Sequence, residues 1–99
     1  MYGMIARIKT QPGKRAELAA ALLDGTGSMP GCLNYVVAED MADPDTLVVV
    51  EAWDSKQSHD DSLKLPAVQA AIAKGRPLIA GFEKIAETAP LGGVGLPRA

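Results

Sequence analysis

The residues best equipped for chemistry cluster where the sequence changes character. Thr46 to Trp53 is apolar and rich in β-branched residues, and Asp54-Ser55-Lys56-Gln57 turns polar at once. This reads as a strand handing over to a helix, with Glu51-Ala52-Trp53 at the junction. Strand ends beside helix starts are common ligand sites in α+β domains. Trp53 offers a flat apolar ring with one N–H donor, suited to stacking on a flat molecule; the alternative is a core or interface tryptophan. His59 is the sole histidine. Histidine ordinarily changes charge near neutrality, so it is the obvious general base by chemistry. Its setting, Ser58-His59-Asp60-Asp61, instead looks like a solvated helix face. Glu51 shares strand parity with Trp53 and is expected either to pair with Arg7 or Arg76 or to belong to a structural network.

Asn34 and Tyr35 are neighbours on another strand and point to opposite faces, so at most one of them readily faces a given cavity. Asn34 can donate to a carbonyl or a phenolate and so stabilise developing negative charge. Tyr35 can contact a ligand or pack between subunits. Arg76 precedes Pro77 at a helix end, where it can hold an anionic oxygen or satisfy the last carbonyls.

Other chemistries lack their residues. Zinc wants clustered Cys and His, and the chain has one of each, 27 positions apart. No metal and no cofactor is therefore expected. The glycines near the C-terminus have no lysine and no strand–helix context for phosphate. Cys32 follows a Pro30-Gly31 turn and reads as a small buried hydrophobe. As the lone cysteine it forms no internal disulfide, which favours a reducing, cytoplasmic setting.

The totals set the frame. With 99 residues the chain is one domain. Hydrophobic residues make up 47% and mean hydropathy is +0.06, more apolar surface than a small monomer comfortably hides. A homodimer is the expected solution. Ten basic and 12 acidic residues give a net charge of -2, with no basic stripe for nucleic acid. No run of 18 apolar residues suggests a membrane span. Met1-Tyr2-Gly3-Met4 enters a strand pattern directly and does not read as a signal peptide.

These side chains must be positioned by a small set of elements. Tyr2–Lys9 alternates as a first strand, with Met4, Ala6 and Ile8 on one side. Pro12 opens a helix over Lys14–Leu23. Asp24–Gly31 is loop, Cys32–Asp40 a second strand, and Met41–Asp45 a hairpin connection. The third strand, Thr46–Trp53, is apolar on both faces and hence central. A helix capped by Asp54 or Ser55 runs from Lys56 to Leu63 and restarts at Pro66. Its second piece carries Val68, Ala71 and Ile72 on one side and ends near Gly75. A turn-like link, Arg76–Gly81, leads to a fourth strand, Phe82–Thr88. The order β-α-β-β-α-β predicts an α+β, ferredoxin-like fold: a four-stranded antiparallel sheet with helices on one face. The other face needs cover, which a second copy can supply. Residues 1–88 form this domain; residues 89–99 are a Gly/Pro-rich C-terminal arm.

The ordered set of motifs resembles the antibiotic biosynthesis monooxygenase domain family, which includes quinol-monooxygenase-like proteins. The matching features are Pro12-Gly13, Pro30-Gly31-Cys32-Leu33 with Tyr35, Asp43-Pro44, Glu51-Ala52-Trp53, Leu65-Pro66 and Arg76-Pro77-Leu78. The likeness covers roughly residues 2–88. It implies a dimeric α+β barrel with a cavity between sheet and helices. Several members oxidise aromatic phenols or quinols with O2 and neither metal nor flavin, using the deprotonated substrate as electron donor. Others break down haem, modify small signalling molecules or have no known substrate. The resemblance places Trp53 beside the cavity, with Glu51, Tyr35 and Ile72 as substrate-binding candidates. Trp53, His59, Arg76 and Asn34 are the catalytic candidates.

Two departures stand out. Many relatives carry a histidine nine positions after the family tryptophan and another after the following proline; here those positions hold Ser62 and Ala67. Haem-degrading relatives need an iron-ligating histidine, which falls near Ile72, and an asparagine in the first strand, where this chain has Ala6-Arg7. The leading expectation is a cofactor-independent monooxygenase acting on a small aromatic, phenolic or quinone-like molecule. The alternatives are a non-enzymatic small-molecule binding protein and an isomerase or lyase of the dimeric α+β barrel superfamily.

Overall fold

The computed structural model describes all residues, 1–99. It contains β1 (Tyr2–Thr10), α1 (Arg15–Gly25), β2 (Cys32–Glu39), β3 (Thr46–Trp53), α2 (Lys56–Ser62) and α3 (Pro66–Gly75). A single 3-10 turn, Arg76–Leu78, then leads into β4 (Ile79–Thr88). The strands form one sheet in the order β2-β3-β1-β4, with every neighbouring pair antiparallel. This is the ferredoxin-like α+β arrangement expected from the element order. No helix is long and apolar enough to cross a membrane.

Local chemistry explains the element boundaries. Ser55 caps α2, its hydroxyl accepting from the Ser58 N–H. The interruption between α2 and α3 comes from Pro66. The residue before a proline is pushed out of helical geometry, and Leu65 is extended at φ -68°, ψ 135°. Pro66 then occupies the first turn of α3, where its missing N–H costs nothing. β4 starts at Ile79 instead of the expected Phe82, because Thr10 at the end of β1 reaches far enough to pair with it. The expected irregular link is thereby reduced to one 3-10 turn.

β3 is central as expected, and the side chains on its helix side divide between two clusters. Leu47 and Val49 join Ile8 and Leu18 in one core cluster, while Trp53 joins Met29 and Val68 in a second. Gly25 sets the helix layer: a Cβ there would overlap that of Ala71, so its absence lets α1 and α3 approach closely. Gly3 plays a similar part at the sheet, where a Cβ would overlap the Thr88 hydroxyl. Beyond β4, Pro90 lies near Gly3, and the arm folds back on itself through a Gly93–Leu96 bridge and an Ala99 N–H to Leu91 C=O bond.

Candidate functional site

Between the two core clusters, on the helix side of the sheet, lies a cavity of about 700 Å³. Strand periodicity builds its floor. Tyr2, Met4, Ala6 and Ile8 of β1 alternate into it, as do Val49, Glu51 and Trp53 of β3. α2 contributes His59, and α3 with the following turn contributes Ile72 and Arg76.

One end is an aromatic and acidic cluster. Trp53 is 1% exposed. Its indole N–H donates to Glu51 Oε1 at 3.0 Å. This bond is local in sequence: parity puts Glu51 and Trp53 on one face, two residues apart. His59 Nε2 lies 3.9 Å from the same carboxylate oxygen, and its Nδ1 lies 3.1 Å from Asp60 Oδ1. The imidazole sits between two rings, with centroids 5.3 Å from Tyr2 in a tilted arrangement and 5.5 Å from Trp53 edge-on. The Tyr2 hydroxyl donates to Glu87 Oε2 at 2.8 Å.

Electrostatics follow from burial. Desolvation pushes the Glu51 carboxyl above its ordinary value, opposed by the Trp53 hydrogen bond and by His59. Burial raises the Tyr35 phenol, with Glu51 adding to the shift. Tyr2 is pushed up to about 12, first by burial and then by its bond to Glu87, so it stays a hydroxyl donor at neutral pH. Burial also raises the half-buried Cys32 thiol, which keeps it a poor nucleophile.

The sequence-derived residues divide as follows. Trp53, Glu51, His59, Tyr35, Ile72 and Arg76 all line the cavity. Asn34 does not. The register pairs Tyr35 with Glu51 and Asn34 with Ala52, so Asn34 lies on the opposite face, near Gly95 of the arm. It is separated from any chemistry in the cavity. Glu51 is partnered by Trp53 and His59 and not by an arginine; Arg7, on the far face, pairs with Glu83 at 2.9 Å and Asp40 at 4.0 Å. His59 is no solvated residue: its side chain is 14% exposed. The two acidic neighbours suggest a surface, but one turn of helix carries His59 inward while Asp61 stays exposed.

Sequence reasoning missed Tyr2, Glu87 and Lys56. Tyr2 left a usable signal, since it shares parity with Met4, Ala6 and Ile8. Glu87 had none, because a β4 register shift opposite Ile5/Ala6 changes which residues face the helices. No group of three or more His, Cys, Asp or Glu side chains is arranged to hold a metal ion.

Comparison with known proteins agrees with this architecture. The profile of the family described as antibiotic biosynthesis monooxygenase matches residues 1–74. A provisionally assigned antibiotic biosynthesis monooxygenase from Chloroflexus aurantiacus superposes with a TM-score of 0.93 at 54% identity, covering 97% of this chain and 98% of that one. A similarly assigned protein from Caulobacter crescentus superposes with a TM-score of 0.74 at 27% identity, covering 85% and 86% of the two chains. An uncharacterized protein of Synechocystis is 28% identical over 92 residues, 85% of this chain, which spans only 63% of that relative's length. The family match over residues 1–74, on a ferredoxin-like sheet with a cavity beneath its helices, shows that the chain belongs to the antibiotic biosynthesis monooxygenase family.

Proposed function

We propose that the protein is a monooxygenase that oxidises a small aromatic phenol or quinol with O2, without metal or flavin, and that it works as a homodimer. The observation that carries this reading is the His59 imidazole, held between the Tyr2 and Trp53 rings with Glu51 behind it. A phenol placed against the partly exposed Tyr2–His59 side of this cluster would lose its proton to His59, and the resulting phenolate is the electron donor. Glu51, 3.9 Å from Nε2, stabilises the imidazolium that forms. In the overall balance phenol and O2 give quinone and water: one oxygen atom bonds to ring carbon and the other leaves as water. The apolar remainder of the cavity keeps bulk water away from the reacting anion.

The dimer reading rests on the sheet's outer face. Ala86, Ile5, Val50 and Val36 are register partners in one row across all four strands. Such a row is suited to a second sheet packed face to face.

A non-enzymatic binding role is favoured by one specific feature. Ser62, at a family histidine position, donates its hydroxyl to the His59 carbonyl and leaves no second base there. Oxygen-uptake assays over a panel of phenols and quinols, with product mass, separate the two. Uptake that falls at least tenfold in His59→Gln supports the oxygenase. Saturable binding with no uptake across the panel leaves the binding role.

A further inference from the structure

The cavity is long, and its charges are unevenly compensated. Its floor follows β1 from Tyr2 to Ile8, a run of about 20 Å at the rise of a strand. Its roof follows α3 from Val68, packed with Trp53, to Gly75, whose neighbour is Leu18, about 10 Å along a helix. Arg76, an exposed residue, stands at the mouth on the end away from Trp53, where Thr10 pairs with the start of β4. Three cationic side chains line the cavity: Lys56, Arg76 and Lys84. Lys56 lies 3.2 Å from Asp60, and Lys84 lies 3.4 Å from Glu87. No carboxylate lies within 4.0 Å of Arg76, and no side-chain hydrogen bond engages it. A guanidinium cannot shed its charge, and its fork matches a carboxylate in two parallel bonds. Met4, Ala6, Leu22 and Val49 supply an apolar stretch between this cation and the aromatic cluster.

We propose that the cavity takes an elongated aromatic acid, with its phenolic ring at the Trp53–His59 end and its carboxylate on Arg76. The ring end rests on the functional reading above; the acid end rests on Arg76 and the shape of the cavity alone. A single-ring phenol without a tail leaves the guanidinium unused. A short aromatic acid reaches only one end at a time.

Titrations followed by Trp53 fluorescence test this with three probes: a para-hydroxyphenyl alkanoate with an eight-carbon chain, its methyl ester, and para-hydroxyphenylacetate. The long acid is expected to bind about tenfold tighter than either of the others, the scale of one hydrogen bond to a charged group. Arg76→Gln should remove the preference for acid over ester, and Arg76→Lys should keep part of it. The proposal is overturned if ester and acid bind alike in the native protein, if the short acid binds as tightly as the long one, or if Arg76→Gln weakens acid and ester equally. Oxygen uptake, measured on the same samples, reports separately on the oxygenase reading. Acid preference without uptake leaves the ligand class standing and removes the oxygenase. Uptake without acid preference does the reverse.

Discussion

On the helix side of β3, Leu47, Val49, Glu51 and Trp53 are all buried, whereas on the other side of the same strand Val50 is 40% exposed. The two faces also treat acids in opposite ways. Glu51, on the helix side, is desolvated and held above its ordinary value. Asp43, at the margin of the outer face, is held down to about 2 by Lys9, by the Asp45 N–H and by the Thr46 hydroxyl. The helix side spends its few polar groups on one another around a cavity. The outer side keeps its charges at the rim, with Arg7–Glu83 and Lys9–Asp43, and leaves an apolar row in the middle. One face encloses a cavity, and the other leaves an apolar row uncovered.

The strongest way to break this contrast is at Trp53. Trp53→Ala should cost roughly 3–5 kcal/mol, as expected for a fully buried ring. From sequence alone, Trp53→Phe would be expected to spare the fold. The indole bond to Glu51 changes that expectation: Phe leaves a buried acid without its donor, a loss of roughly 1–3 kcal/mol. Urea melts of both variants measure this. A Phe variant as stable as the native protein would mean that the Glu51–Trp53 bond contributes little to holding the helix-side cluster.

The outer face is tested by Val50→Glu, which puts a charge in the centre of the apolar row. Light scattering is expected to show about twice the 10.3 kDa chain mass for the native protein and the single-chain mass for the variant. Circular dichroism should be unchanged, because Val50 takes no part in the helix-side core. A variant that stays dimeric would place the interface elsewhere.

This division was only partly legible in the sequence. The period-two pattern of β1 and β3, the turn residues and Pro66 gave the element order and the central place of β3, because those signals are local. Parity also grouped Glu51 with Trp53. The Trp53–His59–Tyr2 contact depends on how α2 docks over the sheet, which no local pattern states. The outward place of Asn34 depends on a β2–β3 register shift between Cys32 and Asn34. Glu87 enters the cavity wall only through a similar shift in β4. Arg76 was visible as a candidate, but its lack of an acidic partner appears only once Glu51 is seen to engage Trp53 and His59 instead.

A pH comparison sharpens the contrast. The folded value of Asp43 is depressed, so its contribution is present above the ordinary 3.8 and is lost as pH falls towards 2. Glu51 has the opposite sign. Its folded value is raised, so its contribution is full below the ordinary 4.5 and is lost as pH rises past it. Asp43→Asn should therefore lower the melting temperature at neutral pH and flatten its fall in acid. Glu51→Gln, which keeps an acceptor for the indole, should raise the melting temperature at neutral pH. Melts from pH 3 to 8 check both signs, and a Glu51→Gln variant that melts lower at pH 7 would contradict the desolvation argument.

The smallest expected effect is at the rim. Arg7 is half-exposed, and its 2.9 Å partner Glu83 is more exposed still. Exposed pairs of this kind contribute about 0–1 kcal/mol, so Arg7→Gln should shift stability by no more than that. The shift should vanish near 1 M salt, where screening acts within about 3 Å. Melting curves at low and high salt measure both parts. A larger loss that salt does not remove would mean that Arg7 is shielded from solvent by a second copy. The apolar row flanking it, Ile5–Val50–Val36, would then extend under Arg7, and the boundary between rim and interface would move outward by two register pairs, to Lys9 and Thr46.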